Sequence, residues 1–436
     1  MDRARATDVV AKLREAGYEA YFAGGCVRDR LLGIEPRDYD VATAASPDTV
    51  EDLFADTRAV GRRFAVVLVR SGEDWIEVAT FRKDGPYGDG RRPDRVDFTD
   101  AKTDAARRDF TINALFEDPV DGRIVDFTGG EQDLRAGVVR AVGDPERRFE
   151  EDSLRLLRAP RFAARLGFEI EPATLAAIRA NAASIGRVAP ERIGEEIVRM
   201  LTEGDARKGV ELLDACGLLE PVLPEVAAMA GCEQSPDNHP EGDVFEHTLR
   251  CLAALPPRPT ETLALGVLLH DVAKPATAAT TDDGRRTFYG HTGLGAEMAV
   301  EICRRLRRSG QTTERVEFLV AQHLRHGDAP KMKPATLKRF LRQDGIDELL
   351  ELARIDALGS RGDLSLYEFC RDALANLPAD QIRPDPLVRG GDLIALGLEP
   401  GPRFKEILAA VEDAQLDGSV RSREDALRLV HALATE

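Results

Sequence analysis

Nothing in the 436 residues approaches the run of roughly 18 apolar side chains that a membrane-spanning helix needs. No span and no membrane partner are expected. The six cysteines, at 26, 216, 232, 251, 303 and 370, never fall as Cys-x-x-Cys. That scatter excludes a zinc ribbon, offers no disulfide framework and leaves buried thiols as the expectation. Repeats of 20 to 50 residues and low-complexity tracts are also missing. Positive charge is in deficit: 60 Lys and Arg stand against 77 Asp and Glu, a formal net charge of −17. Coating nucleic acid draws on clustered cations, so wholesale coating is excluded and only local basic clusters can serve. The first 17 residues mix charge with apolar positions at helical spacing and lack the features of a signal peptide, so a cytoplasmic location is expected.

What is present is 43% hydrophobic and 31% charged, an ordinary soluble composition with length for about three domains. Through about residue 135, short apolar runs alternate with turns. Ala65 to Val69, Trp75 to Phe81 and Ile124 to Phe127 read as strands. From Glu150 onward, Ala, Leu and Arg recur at three- and four-residue spacing with few glycines, which reads as helices. The polar stretch 233–243, Glu-Gln-Ser-Pro-Asp-Asn-His-Pro-Glu-Gly-Asp, is the best candidate for a domain boundary.

The most informative segment is Gly24-Gly25-Cys26-Val27-Arg28-Asp29, followed by Asp38-Tyr39-Asp40. Glu19 to Ala23 reads as a buried strand that the glycines break, with a helix starting near Val27. Free backbone N–H groups at such a start suit a triphosphate, and Arg28 adds charge. Asp38 and Asp40 precede Val41-Ala42-Thr43 and are expected on a second strand, where residues two apart share a face. Two carboxylates on one face repel unless a cation joins them, and magnesium prefers carboxylate and phosphate oxygens. Alone, an Asp-x-Asp fits a surface turn with solvated acids. The glycine-arginine element upstream tips the reading toward a metal-nucleotide site.

Further along, Glu77 in a strand-like alternation could set a third carboxylate beside that pair. Arg107-Arg108-Asp109-Phe110-Thr111-Ile112-Asn113-Ala114 groups cations, an acid and an amide suited to phosphate and ribose. Between Arg147 and Arg165 there are six arginines and three acids, Arg158 and Arg161 among them. In Glu151-Asp152-Ser153-Leu154-Arg155, helical spacing would put Asp152 and Arg155 side by side. That pair is either a surface ion pair or a fixed donor-acceptor edge able to read a base.

In order and spacing, these motifs, with Glu191-Arg192-Ile193, resemble the class II tRNA nucleotidyltransferase/poly(A) polymerase family over roughly residues 15 to 225. The resemblance implies that Asp38 and Asp40, with Glu77 beside them, form the catalytic group and bind Mg2+. It implies that Gly24, Gly25 and Arg28 hold the triphosphate and that Arg108, Asp109 and Asn113 seat phosphates and sugar. Asp152 and Arg155, with Arg158 and Arg161 nearby, would select CTP and ATP by their base edges without a nucleic-acid template. The implied activity is addition or repair of the 3'-terminal CCA of tRNA, held by its 3' end and acceptor region, with release of pyrophosphate. The stretch Asp84 to Asp97 resembles the flexible loop used in adding the terminal adenosine. Poly(A) polymerase or A-adding-only activity stays open within the family. The segment from Val60 to Val69 resembles one that separates poly(A) polymerases, except that Ala59 stands where a larger aliphatic is usual.

A second group, His247, His270-Asp271 and Asp356, has the spacing of an HD-type metal site, for a further divalent metal. His291 strengthens it, while His323 and His326 read better as a solvated helix end. An HD phosphohydrolase with an RNA-binding head is the reading from another class. The expected fold is α+β: a nucleotidyltransferase head with a mixed sheet and helices (1–140), then all-α neck and RNA-binding body (141–232), HD domain (236–360) and helical tail (361–436).

Overall fold

The computed structural model describes residues 2–59, 65–85, 96–235, 242–378, 382 and 384–435. Contacts divide the chain into two units: Met1–Ala227 with Pro257–Glu261 and Ile302–Arg308, and Ala228–Pro256 with Thr262–Glu301 and Ser309–Glu436.

The first unit opens with α1 (Arg3–Glu15), whose N-terminus is capped by the Asp2 carboxylate accepting from the Ala4 N–H at 2.9 Å. Ala6, Val9, Val10 and Leu13 recur at helical spacing and are buried, so one stripe of α1 packs on the sheet. The strands are β1 (Ala20–Ala23), β2 (Val41–Thr43), β3 (Thr57–Ala59), β4 (Val66–Ser71), β5 (Asp74–Thr80), β6 (Arg82–Asp84), β7 (Val96–Phe98), β8 (Leu115–Glu117) and β9 (Ile124–Asp126). Seven form one mixed sheet in the order β3-β4-β5-β2-β1-β8-β9, and β6 with β7 makes a separate ribbon. Only the β2–β5 pairing is parallel in that sheet, with Val41 opposite Val78.

The central strand β1 is buried on both faces because its side chains alternate. Phe22 joins Val9, Val41 and Val78 in one core, while Tyr21 and Ala23 join Phe81 and Phe116 in another. Truncating a fully buried phenylalanine such as Phe22 costs about 3 to 5 kcal/mol. Between β1 and β2 lies α2 (Gly25–Leu31), entered through Gly24 at φ 73°. Asp38 and Asp40 occupy an extended segment just before β2 rather than the strand itself, because the ladder to β1 begins at Val41.

After the sheet, the first unit is helical apart from one short parallel pair of strands, Val138–Val139 with Glu169–Ile170. Its functional elements are α3 (Pro145–Glu151), α4 (Arg155–Leu166) and α5 (Pro190–Glu203). The second unit carries α6 (Val244–Ala253), α7 (Glu261–Leu269), α8 (His291–Arg305), α9 (Gly310–Gln322) and α10 (Ile346–Gly359), with residues 262–269 and 291–301 of α7 and α8 belonging to it. Every residue from Leu263 to Leu269 is buried, which makes α7 the axis of that core. A methyl on Gly359 would collide with the Cys251 sulfur, so this glycine is what lets α10 approach α6. Helices Gly390–Ala395, Pro402–Asp417 and Arg423–Thr435 pack around Leu393, Ile407, Val411 and Val430.

Candidate functional site

A cavity of about 620 Å³ lies in the first unit, within the ordinary range for small-molecule sites. Its wall includes Gly24, Gly25, Asp38, Asp40 and Glu77 on the sheet side and Asp152, Arg155, Arg158 and Arg161 on the helical side. Eleven arginines and seven carboxylates line it, a formal excess of four positive charges inside a chain of net −17. An anionic ligand is therefore drawn to this place.

Strand geometry gathers the three acids. Tyr39 turns inward against Phe22, with ring centroids 5.1 Å apart, so its neighbours Asp38 and Asp40 turn the other way. On β5, Ile76 and Val78 are buried and Glu77 faces away from them, and the parallel register sets it abreast of Asp40. Burial, then the charges of Glu77 and Asp38, push the Asp40 carboxyl up to about 7. Partial desolvation and Asp38 raise Glu77 too, with Arg82 opposing. Carboxylates that resist ionising beside one another would be stabilised by a shared divalent cation, although among the described residues the groups whose ligand atoms all lie within 4.8 Å of one another are in the helical unit and not here.

Behind the acids stands a buried ionic network. Arg28, 3% exposed, donates to Asp29 Oδ1 from Nη2 at 2.5 Å and to Asn113 Oδ1 from Nη1 at 2.5 Å. Asp109 Oδ1 accepts from the Phe110 N–H at 2.8 Å and from Asn113 Nδ2 at 3.1 Å, and its Oδ2 pairs with Arg158 Nε at 2.8 Å. Burial alone would raise Asp109, but Arg158 and the Asn113 amide hold it down at about 2. Arg108 donates from Nη1 to the Asn113 carbonyl at 3.1 Å and pairs through Nη2 with Asp104 at 3.1 Å. Gly24 has φ 73°, a backbone conformation that L side chains rarely adopt, which is why the turn needs glycine there; a Cβ would also meet Arg108 Nη1 at 2.9 Å. Arg28, Asp109 and Asn113 thus form a shared scaffold, and Arg28 reaches the cavity with its fork already engaged. Helix α2 has only seven residues. Positive charge in the cavity therefore comes chiefly from the arginines.

Asp152 and Arg155 do not form the side-by-side pair that their spacing predicts. The chain breaks between α3 and α4, leaving Asp152 extended at φ −146° as the C-cap of α3 while Arg155 begins α4. Asp152 is gripped by both nitrogens of Arg192, at 3.2 and 2.9 Å. Arg155 is buried, donating to Glu151 Oε2 at 3.0 Å and to the carbonyls of Arg148 and Arg107 at 3.0 and 2.9 Å. Both residues still line the cavity, each held by its own partner.

The helical unit brings its own residues together. His247 Nε2 lies 3.1 Å from Asp356 Oδ1 and 3.3 Å from His270 Nε2, and His270 Nε2 lies 3.2 Å from Asp271 Oδ2. Burial alone would raise Asp271, but Lys274 at 2.7 Å and the imidazoles hold it well below the usual carboxylate range. His323 is not on a solvated helix end: it is 1% exposed, with Nε2 3.8 Å from Asp271 Oδ1. The turn after α9 points it inward, and burial drops its imidazole to about 4. His326 donates from Nδ1 to the His323 carbonyl and stays partly exposed, outside the cluster. Most of the loop expected from Asp84 to Asp97, residues 86–95, and residues 60–64 lie outside the described residues; β6 and β7 pair at the loop's two ends.

Three family descriptions match in order: "Poly A polymerase head domain" over residues 20–140, "Probable RNA and SrmB-binding site of polymerase A" over 167–229, and "HD domain" over 244–358. The A-adding tRNA nucleotidyltransferase of Deinococcus radiodurans is 36% identical over 96% of this chain and 96% of its own. The chain belongs to the tRNA nucleotidyltransferase/poly(A) polymerase family. The CCA-adding enzyme of Levilactobacillus brevis is 33% identical over 97% of this chain and 96% of its own. The crystal structure of the Bacillus stearothermophilus CCA-adding enzyme in complex with CTP matches with a TM-score of 0.76 and 27% identity, over 99% of this chain and 98% of that one. A nucleotidyltransferase of this family is an enzyme with an α+β fold, which agrees with the sheet and helices described above.

Among the cavity residues, Arg192 and Arg199 were given no role in the sequence reading, nor was Glu196, which is buried against the cavity's Arg161. Arg192 stood in a motif that resembled the family yet received no role. Glu196 had a legible signal, since it shares the apolar stripe of α5 with Ile197, Met200 and Leu201. A charge on such a stripe asks for a buried partner. Among the described residues, no helix is long and apolar enough to cross a membrane.

Proposed function

We propose that this protein adds or repairs the 3'-terminal CCA of tRNA, taking CTP and ATP in turn and releasing pyrophosphate. The observation that carries the reading is the cavity itself, where three carboxylates face an arginine-rich wall in a chain that is otherwise acidic. The tRNA 3'-hydroxyl attacks the α-phosphate, a P–O bond forms to the RNA, and the bond to pyrophosphate breaks. Asp38 and Asp40, with Glu77 beside them, hold magnesium, which when bound neutralises charge on the attacking and leaving oxygens. Arg108, Arg158 and Arg161 bring positive charge to the phosphates, while the Arg28–Asn113–Asp109 scaffold fixes the floor on which nucleotide rests. Asp152 and Arg155 select the base by hydrogen bonds from the helical side of the cavity, with Arg192 fixing the orientation of Asp152. Water has to be kept from the α-phosphate, and RNA seated over the helical side would do so.

The division into head (1–140), neck and body (141–232), HD domain (236–360) and tail (361–436) goes with this reading, the body gripping the acceptor region. His247, His270, Asp271 and Asp356 hold a divalent metal in the HD domain. A cytoplasmic setting, where tRNA is processed, is part of the proposal.

A second reading, addition of the terminal adenosine alone, is favoured by the name of the Deinococcus relative. One experiment separates them: purified enzyme is given tRNA lacking CCA, tRNA ending in CC, or an unstructured RNA, each with CTP, ATP or both. CCA addition predicts growth of the first substrate by three nucleotides when both triphosphates are present. Growth of the CC-ended tRNA alone would replace it with the A-adding reading, and long tails on unstructured RNA with poly(A) synthesis.

A further inference from the structure

We infer that Phe162 is a positioning residue for the arginines of the cavity, its aromatic face holding Arg28, Arg158 and Arg161 in place to receive a triphosphate; this rests on the nucleotide-adding function proposed above. The ring is 5% exposed, lines the cavity from α4, and stands against Phe110 with centroids 5.9 Å apart and planes at 78°. Three guanidinium carbons approach its centroid: Arg161 at 4.1 Å, Arg28 at 5.0 Å and Arg158 at 5.2 Å. All lie inside the roughly 6 Å over which the negative face of an aromatic ring attracts a cation. Arg28 comes from α2, and the other two come from α4 itself.

Carboxylates alone do not balance these cations. Arg28, Arg158, Arg161 and Arg165 share Asp29, Asp109 and Glu196, so four positive groups meet three acids. The repulsion registers on the buried members. Burial lowers the Arg161 guanidinium from its ordinary value, Glu196 opposes, and the charge of Arg158 adds to the lowering. Arg28 is lowered in the same way, by burial first, with Asp29 opposing and Arg165 adding.

A fourth acid here would cancel the positive charge that draws an anion into the cavity, and an aliphatic side chain would leave the repulsion unanswered. An aromatic ring does neither. Its quadrupole attenuates the repulsion while the formal charge of the site stays as it is. Hydrogen bonds already tie the edges of the guanidiniums, Arg28 to Asp29 and Asn113, Arg158 to Asp109 and Arg161 to Glu196. A guanidinium bonded at its edge keeps its plane for stacking, so the acids and the ring act on different parts of the same group.

The test replaces Phe162 in the full chain by mono-, di- and trifluorinated phenylalanine, which keep the shape and apolarity of the ring while withdrawing electrons from its face. With magnesium present, calorimetry gives the Kd for inorganic tripolyphosphate, and steady-state addition to tRNA gives the KM for CTP and for ATP. These constants should rise stepwise with fluorination, by about fivefold at the trifluorinated ring, while kcat, the KM for tRNA and Tm hold. Phe162→Leu, which keeps apolar bulk without a face, should weaken tripolyphosphate at least as much. Tripolyphosphate affinity that stays flat across the fluorinated series would overturn the inference, whether or not Tm moves. So would a folded Phe162→Leu variant, checked by circular dichroism, that binds tripolyphosphate as tightly as wild type. If the wild-type chain extends no tRNA, the proposed function falls, and the graded affinity for tripolyphosphate still decides the role of Phe162.

Discussion

Replacing Asp109 by asparagine tests whether the buried network is an electrostatic scaffold. The substitution keeps the shape and most hydrogen-bonding capacity but removes the charge facing Arg158. Holding an aspartate at about 2 instead of its ordinary 3.8 is worth about 2 to 2.5 kcal/mol at pH 7, at 1.36 kcal/mol per pH unit. Because the native value lies below the unfolded one, this stability is fully present above about pH 4. It drains away as pH falls toward 2, and roughly half should remain at pH 3. The assay is guanidinium unfolding of wild type, Asp109→Asn, Arg158→Met and the double variant at 25 °C, at pH 7 and at the lowest pH where all stay folded. The single asparagine variant should lose about 2 kcal/mol at pH 7, most of it absent in the Arg158→Met background and less of it at low pH. A loss under about 0.5 kcal/mol, or one that is the same with and without Arg158, would refute the reasoning.

Asp40→Ala should reduce nucleotide addition by about a thousandfold, the several kcal/mol a metal's charge supplies, while tRNA binding measured by gel shift changes little; ordinary incorporation by that variant would remove Asp40 from the metal site. Glu196→Gln leaves the Arg161 guanidinium, 2.5 Å away, without its buried counter-charge. It should lower stability by about 3 kcal/mol and raise the KM for CTP and ATP more than it lowers kcat, with partial rescue by Glu196→Asp. Arg192→Ala frees Asp152 from its two-point grip and should weaken discrimination against UTP and GTP by about tenfold, read from kcat/KM for each triphosphate; unchanged selectivity would mean that orientation of Asp152 does not matter.

Local pattern made much of the first unit readable. The run from Glu19 to Ala23 and the two glycines announced β1 and the turn into α2, because alternation of apolar residues and a glycine at positive φ are properties of a few adjacent residues. The helical stripes were equally open to reading. Asp152 and Arg155 were misread for the same reason: spacing assumes an unbroken helix, and nothing local disclosed that Asp152 ends one helix and Arg155 begins the next. His323 looked like a solvated helix end because the elements that cover it come from elsewhere in the chain.

By itself, then, the sequence determined the kinds of element, the order of the motifs, and the presence of acids, glycines and arginines suited to a metal-dependent nucleotide reaction. Tertiary structure alone decided the partnerships: Asp152 with Arg192 across 40 residues, Arg161 with Glu196 across 35, and Asp271 between two pairs of histidines. The physical reason is that hydrogen-bonding patterns of helix and strand are set within a few residues. Desolvation, charge pairing and the direction of a lone pair depend on what distant segments bring within about 4 Å.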